Sequence, residues 1–138
     1  MNTATTPRAC WSVLANKAQD QVQKCRADLA QSRSRVEQLT ASHQRVSAMY
    51  EDYRQRERSI RQADDGLLSQ ANQRQFMSQI LALAERVRTD LEKAQAVMDN
   101  EQKLLQAAEL ELRKMKSLEE QDREKARKSG EQIGRAHV

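Results

Sequence analysis

From Trp11 to Ile60 the chain repeats alternate steps of four and three: Trp11, Ala15, Ala18, Val22, Cys25, Leu29, Ser32, Val36, Leu39, His43, Val46, Tyr50, Tyr53, Glu57 and Ile60. A mostly apolar stripe with a 3.5-residue repeat, held for seven heptads, predicts a helix that buries one narrow face along a partner helix. Ser32 and His43 fall inside the stripe, where a polar residue more often fixes register than binds a ligand. The helix is expected over about residues 8–61, with Pro7 in its first turn and Thr5 or Thr6 as its cap.

A second ladder follows: Phe76, Ile80, Leu83, Val87, Leu91, Ala94, Met98, Glu101, Leu105, Ala108, Leu112 and Met115. Its steps of three, four and four between Ile80 and Leu91 predict one eleven-residue unit, which would locally unwind a left-handed supercoil. Val97, Leu104 and Leu118 widen this stripe, so it drifts there or offers a second face. The helix is expected from about Gln73 to Lys128. Asn72 serves as its cap and Gln75 completes a capping box.

Between the ladders lies the one plausible reversal point, Arg61 to Phe76, with Asp64, Asp65 and Gly66 as turn residues. Folding the chain there pairs the ladders antiparallel with an index sum of 137, which sets Val22 opposite Met115 and Leu39 opposite Met98. The expected fold is all-α, two long helices in an antiparallel coiled-coil hairpin with a short turn near residues 61–75. Residues 1–132 make one helical-hairpin domain.

Composition removes several function classes. With 3% aromatic residues, one Pro and three Gly, the chain is rich in helix formers and short of the bulky side chains a globular core requires. No stretch reaches the length of an apolar membrane span, and the first residues do not read as a secretory signal. Cys10 and Cys25 stand fifteen apart without a CxxC pattern, so no metal or redox site is expected. There is no phosphate-cradling loop and no nucleophile with a base at hand. The chain reads as neither an enzyme nor a cofactor binder.

Charge is distributed unevenly: net +5 over residues 1–61, −4 over 62–112 and +3 over 113–138. A hairpin brings Arg8, Lys17, Lys24 and Arg26 toward Arg113, Lys114, Lys116, Arg123, Lys125, Arg127 and Lys128, making the open end basic. Acidic residues interleave with these bases and no aromatic residue accompanies the C-terminal ones, so a nucleic-acid interface is not expected. The final residues Ile133 to Val138, IGRAHV, are the in-frame translation of a common sequencing-adapter string. They read as a non-native tail, with the native chain expected to continue past Gln132.

Over roughly Arg8 to Lys128 the chain resembles the FliJ family of flagellar type III export. The resemblance rests on a basic first helix leading to AMYEDYRQRE (Ala48 to Glu57), the stretch NQRQFMSQILALAERV (Asn72 to Val87), and the closing ELELRKMKSLEEQDREKARK (Glu109 to Lys128). It implies a cytoplasmic, non-enzymatic stalk or adapter, peripheral at the inner membrane through its partners. Its paired ends would engage the ring of the export ATPase FliI, its tip-side surface the export-gate protein FlhA, and it would escort export chaperones. Carried onto this chain, the gate contacts fall on Tyr53, Phe76, Ile80 and Leu83, with Val46 and Val87 less directly matched. The basic end supplies Arg8, Lys17, Arg123, Lys125, Arg127 and Lys128 as ring contacts. Two other readings share the hairpin pattern: the stalk of a virulence-type secretion system and an unrelated coiled-coil scaffold dimer.

Overall fold

The computed structural model describes residues 9–62 and 66–136. Two helices account for nearly all of them, α1 (Ala9–Gln62) and α2 (Leu67–Ala136), with Gly66 between. The fold is an all-α antiparallel hairpin. It comprises two compact units: a terminal unit, Met1–Ala30 with Asn100–Val138, and a turn-bearing unit, Gln31–Asp99. Arg8, the cap at Thr5 or Thr6, Pro7, Asp64, Asp65 and His137 lie outside the described residues.

The α1 stripe is the buried face of its helix. Each of its positions from Trp11 to Glu57 is buried or half-buried. In the terminal unit Val22, Cys25 and Ala108 form the core, with Leu105 and Leu112 packed against them. Small residues dominate this seam, which lets the helix backbones approach closely. At its edge Arg26 reaches Glu109 at 3.8 Å, an exposed pair of a kind that adds little stability.

On α2 the structure corrects three expectations. The helix begins at Leu67 instead of near Gln73, and Asn72 lies within it. The Gly66 carbonyl accepts from the Gln70 backbone N–H at 3.3 Å, so the first helical hydrogen bond closes on Gly66. No helix breaker stands between Leu68 and Gln75, and once nucleated the helix extends at little cost through such residues. At the other end α2 runs past Lys128 to Ala136. Gly130 and Gly134 each disfavour a helix by only about 1 kcal/mol, and Arg127 bridges forward to Glu131 across the first of them.

The second correction concerns the seam. Its half-buried or buried positions on α2 are Gln70, Gln73, Met77, Ile80, Ala84, Val87, Leu91 and Ala94, continuing through Met98, Glu101, Leu105 and Ala108 to Leu112 and Met115. These alternate by three and four without the expected eleven-residue unit. Met77 takes the place assigned to Phe76, and Ala84 the place assigned to Leu83. An unbroken heptad keeps one face toward α1, whereas a step through Leu83 would have turned the helix off it.

Register is the third. In the turn-bearing unit the Tyr53 ring meets that of Phe76, a sum of 129, beside the seam position Met77. There the pairing differs from the expected 137 by about one heptad. The cause is the earlier turn: α1 ends at Gln62 and α2 starts at Leu67, centring the reversal near residue 65. Cysteines at Leu39 and Leu91, in a background of Cys10→Ser and Cys25→Ala, should cross-link within one chain through a short reagent. Cysteines at Leu39 and Met98 are displaced by about 10 Å along the axis and should not; efficient coupling of the second pair alone would restore the 137 register.

Candidate docking surface

The heptad that fixes the seam also decides which apolar residues it leaves outside. Phe76 and Leu83 each stand one residue before a seam position, Met77 and Ala84, and so fall on the flank of the pair. They are 40% and 43% exposed, whereas Met77 and Ile80 are 7% and 4% exposed. Two large apolar side chains, one heptad apart, thus face solvent beside a closed seam. Scattered surface apolar residues need no explanation, but these two recur one heptad apart on one flank.

Of the four residues expected at a gate contact, the structure brings Tyr53 and Phe76 together. Their rings sit 4.6 Å apart at 49°, a tilted arrangement favourable to aromatic quadrupoles. The Arg56 guanidinium lies 5.3 Å over the Tyr53 ring and also pairs with Asp52 at 3.3 Å. Tyr53 itself is half-buried, so the pair anchors the stripe to the seam. Leu83 lies farther along the same flank. Ile80 is different: its burial makes it part of the seam, three residues after Met77 and four before Ala84.

Met49, Leu68 and Leu81, also exposed, were not singled out from the sequence. Met49 precedes the seam position Tyr50 as Phe76 precedes Met77, which in an antiparallel pair puts it on the same side as Phe76 and Leu83. The signal was available in the heptad, one position upstream of each seam residue.

The basic residues of the terminal unit divide into two groups. Arg123 pairs with Glu119, and Arg127 with both Glu124 and Glu131. Hydrogen bonding from Arg127 holds the Glu124 carboxyl below its ordinary range, as Arg88 does for Glu85 in the turn-bearing unit. These are solvent-exposed helix pairs, three and four residues apart, of the sort that support a helix locally. Lys17, Lys125 and Lys128 are exposed and enter none of the ion pairs among the described residues. Sequence alone did not separate the two groups, since both occur in one charged run.

Among the described residues no cluster of His, Cys, Asp and Glu could hold a metal ion, and no helix is long and apolar enough to cross a membrane. Cys10 is exposed, Cys25 is buried, and both are free thiols.

Seam and flank together define an antiparallel two-helix coiled coil that offers side chains on its outer surface. The family model described as Flagellar FliJ protein matches residues 12–133. That is most of the sequence, and the chain belongs to the FliJ family. Membership gives it a non-enzymatic role in flagellar protein export. No curated protein and no solved structure matches it.

Proposed function

We propose that this chain is a stalk and adapter of the flagellar export apparatus, docking to the export-gate protein FlhA through the flank of its turn-bearing unit. The observation that carries the reading is the split between Phe76 and Leu83, held out to solvent, and Met77 and Ile80, closed in the seam. A residue needed only for folding would sit in the seam. Apolar anchors kept outside it match the aromatic and aliphatic hot spots on which helix-surface interfaces depend. Tyr53 completes the anchor by backing the Phe76 ring.

At the other end, the exposed lysines Lys17, Lys125 and Lys128 supply the electrostatic side of a contact with the ATPase FliI, with Arg8 as a further candidate. Attraction of this kind chiefly speeds encounter and weakens as salt rises. Export chaperones are a further class of partner, and association with the inner membrane would come through FlhA and FliI. The cytoplasm is the compartment in which all three partners are met.

The test is binding of the purified chain to the cytoplasmic part of FlhA, with Phe76→Ala and Leu83→Ala against wild type. Loss of binding by a folded double variant supports the reading, and unchanged binding removes it. A separate outcome concerns the basic end. Reversing Lys17, Lys125 and Lys128 to Glu should slow association with FliI several-fold at low ionic strength, with little difference at high salt, while FlhA binding persists. Reversal of Arg123 and Arg127 instead removes helix pairs and should lower helicity near the C-terminal end. Equal association rates for wild type and the lysine variant would leave this end as a solvated helix face.

A further inference from the structure

The two flanks of the turn-bearing unit differ in chemistry. On one stand the residues one position before each seam residue, and on the other those one position after. The first flank holds the exposed apolar side chains Met49, Phe76, Leu83 and Val97. Five bases share it, Arg35, Arg45, Arg56, Arg86 and Lys93, against two acids, Asp52 and Asp90. Among the described residues the second flank holds one large exposed apolar side chain, Leu81, and five arginines against five acids. Residues 31–99 carry eleven bases and ten acids in all. The unit is therefore close to neutral, and its positive charge is sorted onto the flank that holds the apolar stripe. Ion pairing sharpens the contrast. On the second flank Arg54 pairs with Glu51, and Arg88 with Glu85 and Glu92. On the first, Asp52 takes Arg56 and the Arg45 guanidinium donates to the Ser42 hydroxyl at 3.3 Å, but no carboxylate among the described residues pairs with Arg35, Arg45, Arg86 or Lys93.

Unpaired bases beside an apolar stripe add little to the stability of the hairpin, since exposed charges of one sign repel weakly and gain nothing from one another. They suit a partner whose surface is negative around an apolar patch: opposite charge draws such a partner in, and like charge turns a basic one away. We propose that the first flank selects a protein partner by charge, one that seats an apolar patch on Phe76 and Leu83 and sets Asp and Glu side chains against Arg45, Arg86 and Lys93. Arg86 follows Leu83 by three residues and Lys93 lies one heptad further on, so base and apolar anchor alternate along the same side of α2. This selection rests on the docking to FlhA proposed above and adds the chemistry of the face that FlhA presents. An anionic membrane would meet the same charges, but a helix lying in a membrane surface buries a broad apolar face. Here Phe76 and Leu83 already have more than half of their surface covered.

Titration of the full chain with the cytoplasmic part of FlhA, over a range of salt concentrations, tests it. Arg45→Glu with Arg86→Glu and Lys93→Glu should bind about tenfold or more weakly than wild type at low ionic strength, and the gap should narrow as salt rises. The matching triple on the other flank, Arg33→Glu with Arg58→Glu and Arg74→Glu, makes the same change of charge at residues that likewise enter no ion pair among the described residues. It should stay within about twofold of wild type. Neither triple removes an ion pair, so both should melt close to wild type. Arg45→Gln with Arg86→Gln and Lys93→Gln should show a smaller weakening in the same direction. Wild-type affinity in the first triple, alongside loss of binding by Phe76→Ala with Leu83→Ala, would overturn the proposal and leave the docking reading standing. Equal weakening by the two triples would also overturn it, because selection would then follow net charge and not the flank. Binding untouched by Phe76→Ala with Leu83→Ala would remove the docking reading and the proposal with it. Wild-type binding to vesicles of phosphatidylethanolamine and phosphatidylglycerol that the first triple abolishes would overturn it in favour of a membrane.

Discussion

Val22→Asp is expected to unfold the terminal unit at temperatures where the wild type is fully helical. Val22 has no exposed surface and lies against Cys25 and Ala108, with Leu105 and Leu112 around them. An ionised carboxylate there would lose its water with no cation among the core residues to replace it. Losing the valine's own burial adds about 2 kcal/mol, so the total should exceed ~4 kcal/mol, at the extreme of single substitutions. Asp would shed part of this cost by binding a proton, so its folded-state pKa would be raised. The variant should therefore recover some stability as pH falls below neutrality. Val13→Asp is the control: Val13 lies on the same helix but is mostly exposed, and a surface change of that kind stays within about 0.5 kcal/mol. Circular dichroism and urea melts report both. A small effect of Val22→Asp would mean the two helices do not share this core.

How far the sequence alone reached differs between the helices, for a physical reason. On α1 the large apolar residues, Val13, Leu14 and Met49 apart, stand at seam positions, so hydrophobicity and packing select nearly the same residues, and every stripe position from Trp11 to Glu57 is at least half-buried. On α2 apolar neighbours compete repeatedly, and at two places the larger one misleads. Hydrophobicity favours the larger member, Phe76 over Met77 and Leu83 over Ala84, but the seam is set by geometry and takes whichever residue keeps the three-four alternation. The smaller residue suits a tight helix contact, and the larger one goes outside. What looked like a break in the heptad was an exposed apolar stripe running alongside it.

Register failed for a related reason. Any two heptad ladders pair equally well at index sums seven apart, so periodicity cannot separate 130 from 137. Only the place of the turn can. The cap pattern at Asn72 and Gln75 pulled that place toward α2, although Gly66 supplies the acceptor that begins the helix. Of the residues the family resemblance implied, Phe76 and Leu83 are exposed, Tyr53 is half-buried and Ile80 is turned inward. The division of the basic residues into paired arginines and exposed lysines depends on side-chain placement and was beyond any reading of the run SLEEQDREKARK.

The second large effect expected is on gate affinity. Hot-spot truncations typically cost 2 kcal/mol or more each, so Phe76→Ala with Leu83→Ala should weaken FlhA binding by about 100-fold or more. Stability should change far less. Phe76 gives up an aromatic contact worth about 1 kcal/mol, and Leu83 gives up only the buried part of its surface. The seam pair behaves in the opposite way. Met77→Ala and Ile80→Ala remove buried side chains and should each cost ~2–5 kcal/mol, a loss visible in melting before any partner is added.

The most direct measurement sets these two pairs side by side, with FlhA affinity and thermal melting determined on the same preparations. The account predicts that the Phe76/Leu83 variant melts within a few degrees of wild type and binds FlhA at least 100-fold more weakly, whereas the Met77/Ile80 variant loses most of its melting temperature. A Phe76/Leu83 variant that unfolds, or one that stays folded and binds FlhA as wild type does, would contradict it.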